Sequence, residues 1–331
     1  EWFLLSCCLI SALVSVMTGS SWTTIATIGI ALMGIGQALG FQEGWIAGAI
    51  ISGAYFGDKI SPLSDTTVLA SSAAEVTLFT HIRYMLLTTI PSFVIASLVF
   101  AVAGWNAASG SVHHVEAFSQ ALTARFEITP WLLLVPLATG VLIARRVPSI
   151  ITLFLSVLMA VAAALCFQRQ VMTDIAQGNL FRGVMQSIYG ATALHTSNPM
   201  LAELVSTRGM SGMMGTIWLI LCAMCFGGTM QAGGMVRGIT RLLFATVRGR
   251  FSIVSATVCS GLILNLAIAD QYLCILLNAN MLKRVYDAKG YERRLLSRTT
   301  EDSVTVTSVL VPWNTCGMTQ STVLGVSTLT Y

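Results

Sequence analysis

Residues 2–42 contain no charged side chain. As one helix they would run about 60 Å, twice the hydrocarbon thickness of a bilayer. The stretch must therefore turn. The turn signal is Thr18-Gly19-Ser20-Ser21-Trp22-Thr23-Thr24, a cluster of small and hydroxyl residues. We read 2–17 and 25–41 as the arms of a re-entrant hairpin. Only 10 % of the 331 residues are charged, against about 25 % in soluble domains, and mean hydropathy is +0.78. The fold class is an all-α polytopic membrane protein.

Charge then appears where it is costly. Gly57-Asp58-Lys59-Ile60-Ser61-Pro62-Leu63-Ser64-Asp65-Thr66-Thr67 interrupts an apolar stretch that begins at Trp45 and resumes at Val68. A charged side chain at mid-bilayer costs about 3 kcal/mol on insertion scales. Pro62 lacks an N–H and would clash with the carbonyl of Asp58 in a continuous helix. The span 44–79 should break here, freeing carbonyls beside carboxylates and hydroxyls, all of them ligands for a hard cation. Two carboxylates face one ammonium. If they form only a structural salt bridge, one negative charge is left over, and a cation or a proton must neutralise it.

Farther on, 82–104 reads as a span despite Pro91. Residues 105–127 read as a polar external loop, and 128–143 and 149–167 as two spans. The polar connection 168–210 holds a candidate interfacial helix at 181–195. A span at 211–234 is followed by an amphipathic interfacial segment, 235–250. Residues 251–282 are apolar around Asp270 and read as a second hairpin, broken near Ala269-Asp270-Gln271. Residues 283–298 carry six basic residues, and 300–330 is a second broken span, at Pro312.

With both hairpins re-entrant, thirteen of the eighteen basic residues fall on one side: Arg83, Arg145, Arg146, and those of 235–250 and 283–298. Four fall on the other: Arg125, Arg169, Arg182 and Arg208. The positive-inside rule puts the thirteen in the cytoplasm and Glu1 outside. A hairpin followed by a proline-broken span thus occurs twice, in opposite orientation. Inverted repeats of discontinuous helices are a common build of secondary transporters. Residues 1–104 end the first repeat and 128–331 form the second.

The candidate ion and substrate ligands are Asp58, Lys59, Ser61, Asp65, Thr66, Asn265, Asp270, Asn314 and Thr315. Ser20, Ser21, Thr23, Thr24, Asp302 and Thr305 are added around them. Each has a plainer reading: turn chemistry for the hydroxyls of 20–24, a helix cap for Asp270, solvation at the membrane edge for Glu301 and Asp302. His113, His114 and His195 read as loop residues. No phosphate loop, catalytic triad or metal-ligand spacing is visible, so the chain reads as no enzyme and as driven by an ion gradient. The eight cysteines read as small hydrophobes. No cofactor and no nucleic-acid partner are expected. The expected partners are the bilayer, a monovalent cation and the proton, with a homodimer as an option.

TGSSWTT (18–24), GAYFGDKISPLSDTT (53–67), the Asn265–Asp270 region and PWNTCG (312–317) resemble the NhaC family of sodium/proton antiporters, over essentially the whole chain. CGMTQST (316–322) departs from the commoner small-residue pattern there. The resemblance implies exchange of external protons for internal sodium at the cytoplasmic membrane. It implies that members are longer than this chain. Its relatives include sodium- and proton-coupled exchangers of malate and lactate, and an organic-anion or amino-acid exchanger is the alternative reading.

Overall fold

Helices begin and end where local backbone chemistry dictates. The computed structural model describes residues 2–107, 120–145, 147, 149–176, 178–193, 206, 209–235, 238 and 249–331. Every regular element among them is helical. The segments holding His113, His114, His195, Arg237, Arg241 and Arg248 lie outside the described residues.

Helix α1 (Phe3–Thr18) ends on Gly19, whose φ of +68° is left-handed, a conformation glycine adopts at no steric penalty. Ser20 then caps the next helix, accepting the Thr23 N–H at 3.2 Å. That helix begins as α2 (Ser21–Thr24) and passes through a π-helical turn (Ile25–Gly29) into α3 (Ile30–Ala38). The turn is therefore tighter than 18–24, because Ser21 already belongs to the helix. Helix α4 (Glu43–Ile60) stops before Pro62, and α5 (Asp65–Ala73) restarts on a Ser64 cap. Helix α6 (Leu78–Ala107) runs through Pro91 unbroken.

Chain contacts divide the molecule into two units. Unit one comprises 1–33, 43–106 and 216–331, and it contains every candidate ligand. Helix α1 lies along α4 because glycines remove the obstacle. A Cβ on Gly53 would stand 2.1 Å from the Cys8 carbonyl oxygen, and one on Gly57 would stand 2.4 Å from that of Ala12. Unit two comprises 34–42 and 107–215. In it a 3₁₀ turn, Pro130–Leu133, leads into α7 (Leu134–Ala144), which packs on α8 (Ser149–Phe167) through a Thr139–Ser156 hydroxyl contact of 2.8 Å. Helix α9 (Arg169–Ile175) bends 101° from α8, and Asp174 on it pairs with Arg125. The candidate interfacial helix is the shorter α10 (Leu180–Tyr189). Helix α11 (Gly209–Ala232) joins the two units along the chain.

The C-terminal part of unit one comprises α12 (Arg250–Ile268), α13 (Gln271–Ala288), α14 (Arg293–Ser308) and α15 (Thr315–Leu324). The basic stretch 283–298 is not a loop. It is the end of α13, a short turn and the start of α14. Among the described residues α6 and α12 are each long and apolar enough to cross a membrane alone. Leu87, Ile95 and Val102 stand exposed along α6.

The N-terminal pattern recurs 250 positions later. Ala269, at φ +61°, stands where Gly19 does, and Asp270 caps α13 as Ser20 caps α2, accepting the Leu273 N–H at 2.9 Å. Ser21–Ala38 is matched by Gln271–Ala288, the helix start Glu43 by Arg293, and left-handed Gly40 by Gly290. Pro62 is matched by Pro312, and the cap Ser64 by Asn314. Even the buried cross-helix bonds correspond. Ser15 Oγ donates to the Ala54 carbonyl at 2.5 Å, and Asn265 Nδ2 donates to that of Val304 at 2.8 Å.

Candidate functional site

Three helix starts and one helix end build a cavity of about 130 Å³. It is lined by Gly19–Trp22, by Asp58 at the end of α4, by Asp65 and Thr66 opening α5, and by Gln271 and Tyr272 opening α13. The break at Pro62 turns the chain so that Asp58 and Asp65, seven positions apart, share this space.

Asp58 is 5 % exposed. Its Oδ2 accepts the Ser21 N–H at 3.2 Å and the Ser21 hydroxyl at 2.7 Å. The carboxylate thus sits on the free N–H groups and positive dipole end of the helix that starts at Ser21. Asp65 is exposed at the cavity, and Thr66 beside it is buried, with its hydroxyl 3.0 Å from that of Ser64. Asp58 and Asp65 have no ion-pair partner among the described residues.

Lys59 corrects the expectation that it shares the carboxylates of its own motif. It points away from the cavity and forms an ion pair with Asp302 on α14, whose other oxygen accepts the Thr88 hydroxyl at 2.8 Å. The spare charge at the cavity is therefore larger than the sequence count implied: two carboxylates and no ammonium.

The other candidates divide by role. Ser20 caps its helix, and Thr23 and Thr24 hydrogen-bond back to Ser20. Ser61 holds the break, donating to the Val16 carbonyl at 2.9 Å and accepting the Leu63 N–H at 3.3 Å. The carbonyls of Asp58 and Ser308 are not left free by their prolines. Ser61 N–H reaches the first at 3.2 Å and Val311 N–H the second at 3.4 Å, because each chain closes into a turn. Asp270 is the cap of α13. Asn265 bonds the Thr307 hydroxyl at 2.8 Å and is met by Asn314, and Thr315 N–H bonds the Ala269 carbonyl at 2.8 Å. That second cluster ties the hairpin tip to the Pro312 break and does not line the cavity. Thr305 Oγ1 is buried without a partner among the described residues.

Beside this site lies a pair that sequence reasoning missed. Glu301 and His81 are both fully buried, with Glu301 Oε2 2.7 Å from His81 Nε2. Thr67 donates to Glu301 Oε1 at 3.0 Å, and Ser297 Oγ contacts His81 Nδ1. The adjacent Glu301 and Asp302 invite one shared reading as edge residues. Helical spacing separates them: Ser297, Glu301, Thr305 and Ser308 fall on one face, and all four are buried.

The repeat makes the cavity's chemistry asymmetric. The Ser21–Asp58 contact has its counterpart in Gln271–Ser308, where the Ser308 hydroxyl donates to Gln271 Oε1 at 3.3 Å. Asp65 corresponds to Thr315 and Thr66 to Cys316. At these positions the first half carries Asp58 and Asp65 where the second has Ser308 and Thr315, while at the cap the order is reversed, Ser20 against Asp270.

A model of the Na+/H+ antiporter family matches residues 1–76 and 53–331. The Na+/H+ antiporter NhaC of Alkalihalophilus pseudofirmus is 36 % identical over 331 residues, covering all of this chain and 70 % of that protein. The NhaC antiporter of Bacillus subtilis is 34 % identical over 330 residues, 99 % of this chain and 70 % of the relative. A malate-2H+/Na+-lactate antiporter of Bacillus subtilis is 34 % identical over 331 residues, 99 % of this chain and 69 % of the relative. No solved structure matches.

Proposed function

The chain belongs to the Na+/H+ antiporter family, and from that premise we propose that Asp58 and Asp65 are the carboxylates its sodium ion occupies and its protons replace. It is a multi-pass membrane protein that exchanges Na+ for H+. The observation that carries the site is the cavity itself, where two carboxylates and the small hydroxyl residues Ser20 and Thr66 converge and, among the described residues, no basic side chain lines the wall. Carboxylate and hydroxyl oxygens are the ligand set of a hard monovalent or divalent cation.

Helix starts at Ser21, Asp65 and Gln271 also suit an anion, which keeps a substrate carboxylate, as for the malate–lactate relative, as the competing reading. Magnitudes decide between them. A helix terminus contributes at most about 2 kcal/mol to a bound anion. Each fixed carboxylate 4 Å from that anion opposes it by about 4 kcal/mol at an effective dielectric of 20. Two carboxylates outweigh the helix ends, so the cavity favours a cation.

The 250-residue correspondence supports a repeat, the distribution of basic residues supports its inversion, and the left-handed tips at Gly19 and Ala269 support re-entrant hairpins meeting at mid-membrane. Transport then follows from one repeat moving against the other around the shared cavity, with no cofactor in the cycle. The basic ends of α13 and α14 face the cytoplasm of a cytoplasmic-membrane protein by the positive-inside rule. Sodium-driven proton movement in inverted vesicles tests the site. Asp58→Asn and Asp65→Asn should each abolish it while the protein still inserts. Wild-type exchange in both variants would remove the cavity from the mechanism.

A further inference from the structure

We propose that the Glu301–His81 pair is a proton seat separate from the cation cavity, emptied to the aqueous phase when the cation enters; this rests on the reading of Asp58 as a sodium ligand. The pair has two charge states. With one added proton it is neutral overall, whichever of the two groups holds the proton. Without that proton it carries one net negative charge in a place with no solvent exposure at all. A buried uncompensated charge is strongly unfavourable, so removal of the proton needs positive charge nearby.

The geometry supplies the neighbour. The Thr67 hydroxyl spans from Glu301 to the carbonyl of Lys59, the residue after Asp58, so the pair and the Asp58 carboxylate lie one bridging side chain apart. Within one helical turn of Glu301, His81 and Thr67 stand Arg298, Asp302, Arg83, Tyr84 and Asp65; Lys59 lies against Asp302 and Thr67, and Tyr286 packs in one cluster with Leu295 and Leu296. Lys59 and Asp302 neutralise each other, Asp65 and Arg83 are exposed, and Arg298 lies over the Tyr84 ring at 4.6 Å. Tyr286 bonds Thr257 at 2.9 Å. Asp58 is left as the buried charge without an ionic partner. A cation arriving at Asp58 relieves both carboxylates and lets the pair release its proton. A proton on the pair weakens the pull on the cation. The two sites therefore exclude each other's occupants across a distance, as exchange requires.

Thr67 couples them mechanically. Its hydroxyl lies 3.0 Å from Glu301 Oε1 and 3.2 Å from the carbonyl of Lys59, the residue after Asp58. One hydroxyl hydrogen serves one acceptor fully at a time. It is held most strongly by Glu301 Oε1 when the pair is negative, and the Lys59 carbonyl competes better for it once the pair carries its proton. The fold does not need an ionisable pair here. Two hundred and fifty positions away, in the matching helix α4, the equivalent of Glu301 is Ile51.

The test is proton release on sodium addition to detergent-solubilised full chain, read with a pH dye, beside 22Na+/Na+ exchange in liposomes. Wild type should release protons and exchange sodium. Glu301→Gln should release one proton fewer per sodium bound and still exchange Na+ for Na+. Asp58→Asn should lose both, which separates failure of the cavity reading from failure of this one. Undiminished release in Glu301→Gln overturns the proposal. If Glu301→Gln loses Na+/Na+ exchange, His81→Gln decides. It should keep that exchange and shift the pH midpoint of release by at least one unit, and an unmoved midpoint overturns the proposal.

Discussion

Ser21 gives both its backbone N–H and its hydroxyl to a single oxygen of Asp58, at 3.2 and 2.7 Å. The turn at Gly19 thereby aims a helix start at a carboxylate that belongs to another helix, 37 positions on. A buried carboxylate held in this way is oriented before any ion arrives.

Removing the hydroxyl tests that orientation. A hydrogen bond to a charged group contributes about 1.5–3 kcal/mol. Ser21→Ala keeps the N–H bond and should raise the sodium concentration for half-maximal exchange about tenfold, with little loss of maximal rate. Sodium titration of vesicle exchange measures it. An unchanged half-saturation means that Asp58 is positioned by something else.

The Lys59–Asp302 pair should matter more for stability than for ion affinity. The Lys59 side chain is 6 % exposed and that of Asp302 26 %. Breaking a buried pair on one side costs about 3–5 kcal/mol; partial exposure of Asp302 puts Asp302→Asn at the low end, about 3 kcal/mol. Melting in detergent should fall clearly in that variant, and Lys59→Met with Asp302→Leu should recover most of the loss. A double variant as unstable as the single one contradicts this account.

Glu75 offers a pH-dependent contrast outside the membrane-spanning segments. Lys283, bonded at 2.6 Å, and then Arg293 hold its carboxyl below the ordinary value of 4.5. A carboxyl lowered in the folded state stabilises fully above its unfolded value and loses that contribution as pH falls through the folded one. Wild type should therefore melt above Glu75→Gln at pH 7, and the gap should close below pH 4.5. The gap should also shrink in high salt. Thermal scans against pH measure it, and a gap that widens in acid has the wrong sign.

Gly53 should tolerate no side chain. Its added Cβ would stand 2.1 Å from backbone oxygen of Cys8, and backbone cannot step aside. Gly53→Ala should cost about 1–3 kcal/mol by parting α1 from α4. Gly140, with nothing within 4 Å of its added Cβ, serves as the control. Equal melting of the two alanine variants would show that α1 and α4 are not so closely apposed.

Much of the fold was legible in local chemistry. Pro62 and Pro312 break helices because a ring has no N–H to give and the caps Ser64 and Asn314 two residues on start the next helix, whereas α6 accommodates Pro91 without a break. Gly19 with Ser20, and Ala269 with Asp270, end one helix and cap the next within four residues. Charge inside an apolar run marks a site for the same reason in any bilayer protein. The sequence by itself therefore determined the helix breaks at Pro62 and Pro312, the turns at Gly19 and Ala269, and the acidic motif. Tertiary structure alone decided which charges meet. Lys59 finds Asp302 across 243 positions, and Glu301 finds His81 across 220. The physical reason is range. Backbone dihedrals and caps are settled by neighbours a turn away, whereas the partner of a buried charge is whichever side chain the packed helices bring to the same dry volume.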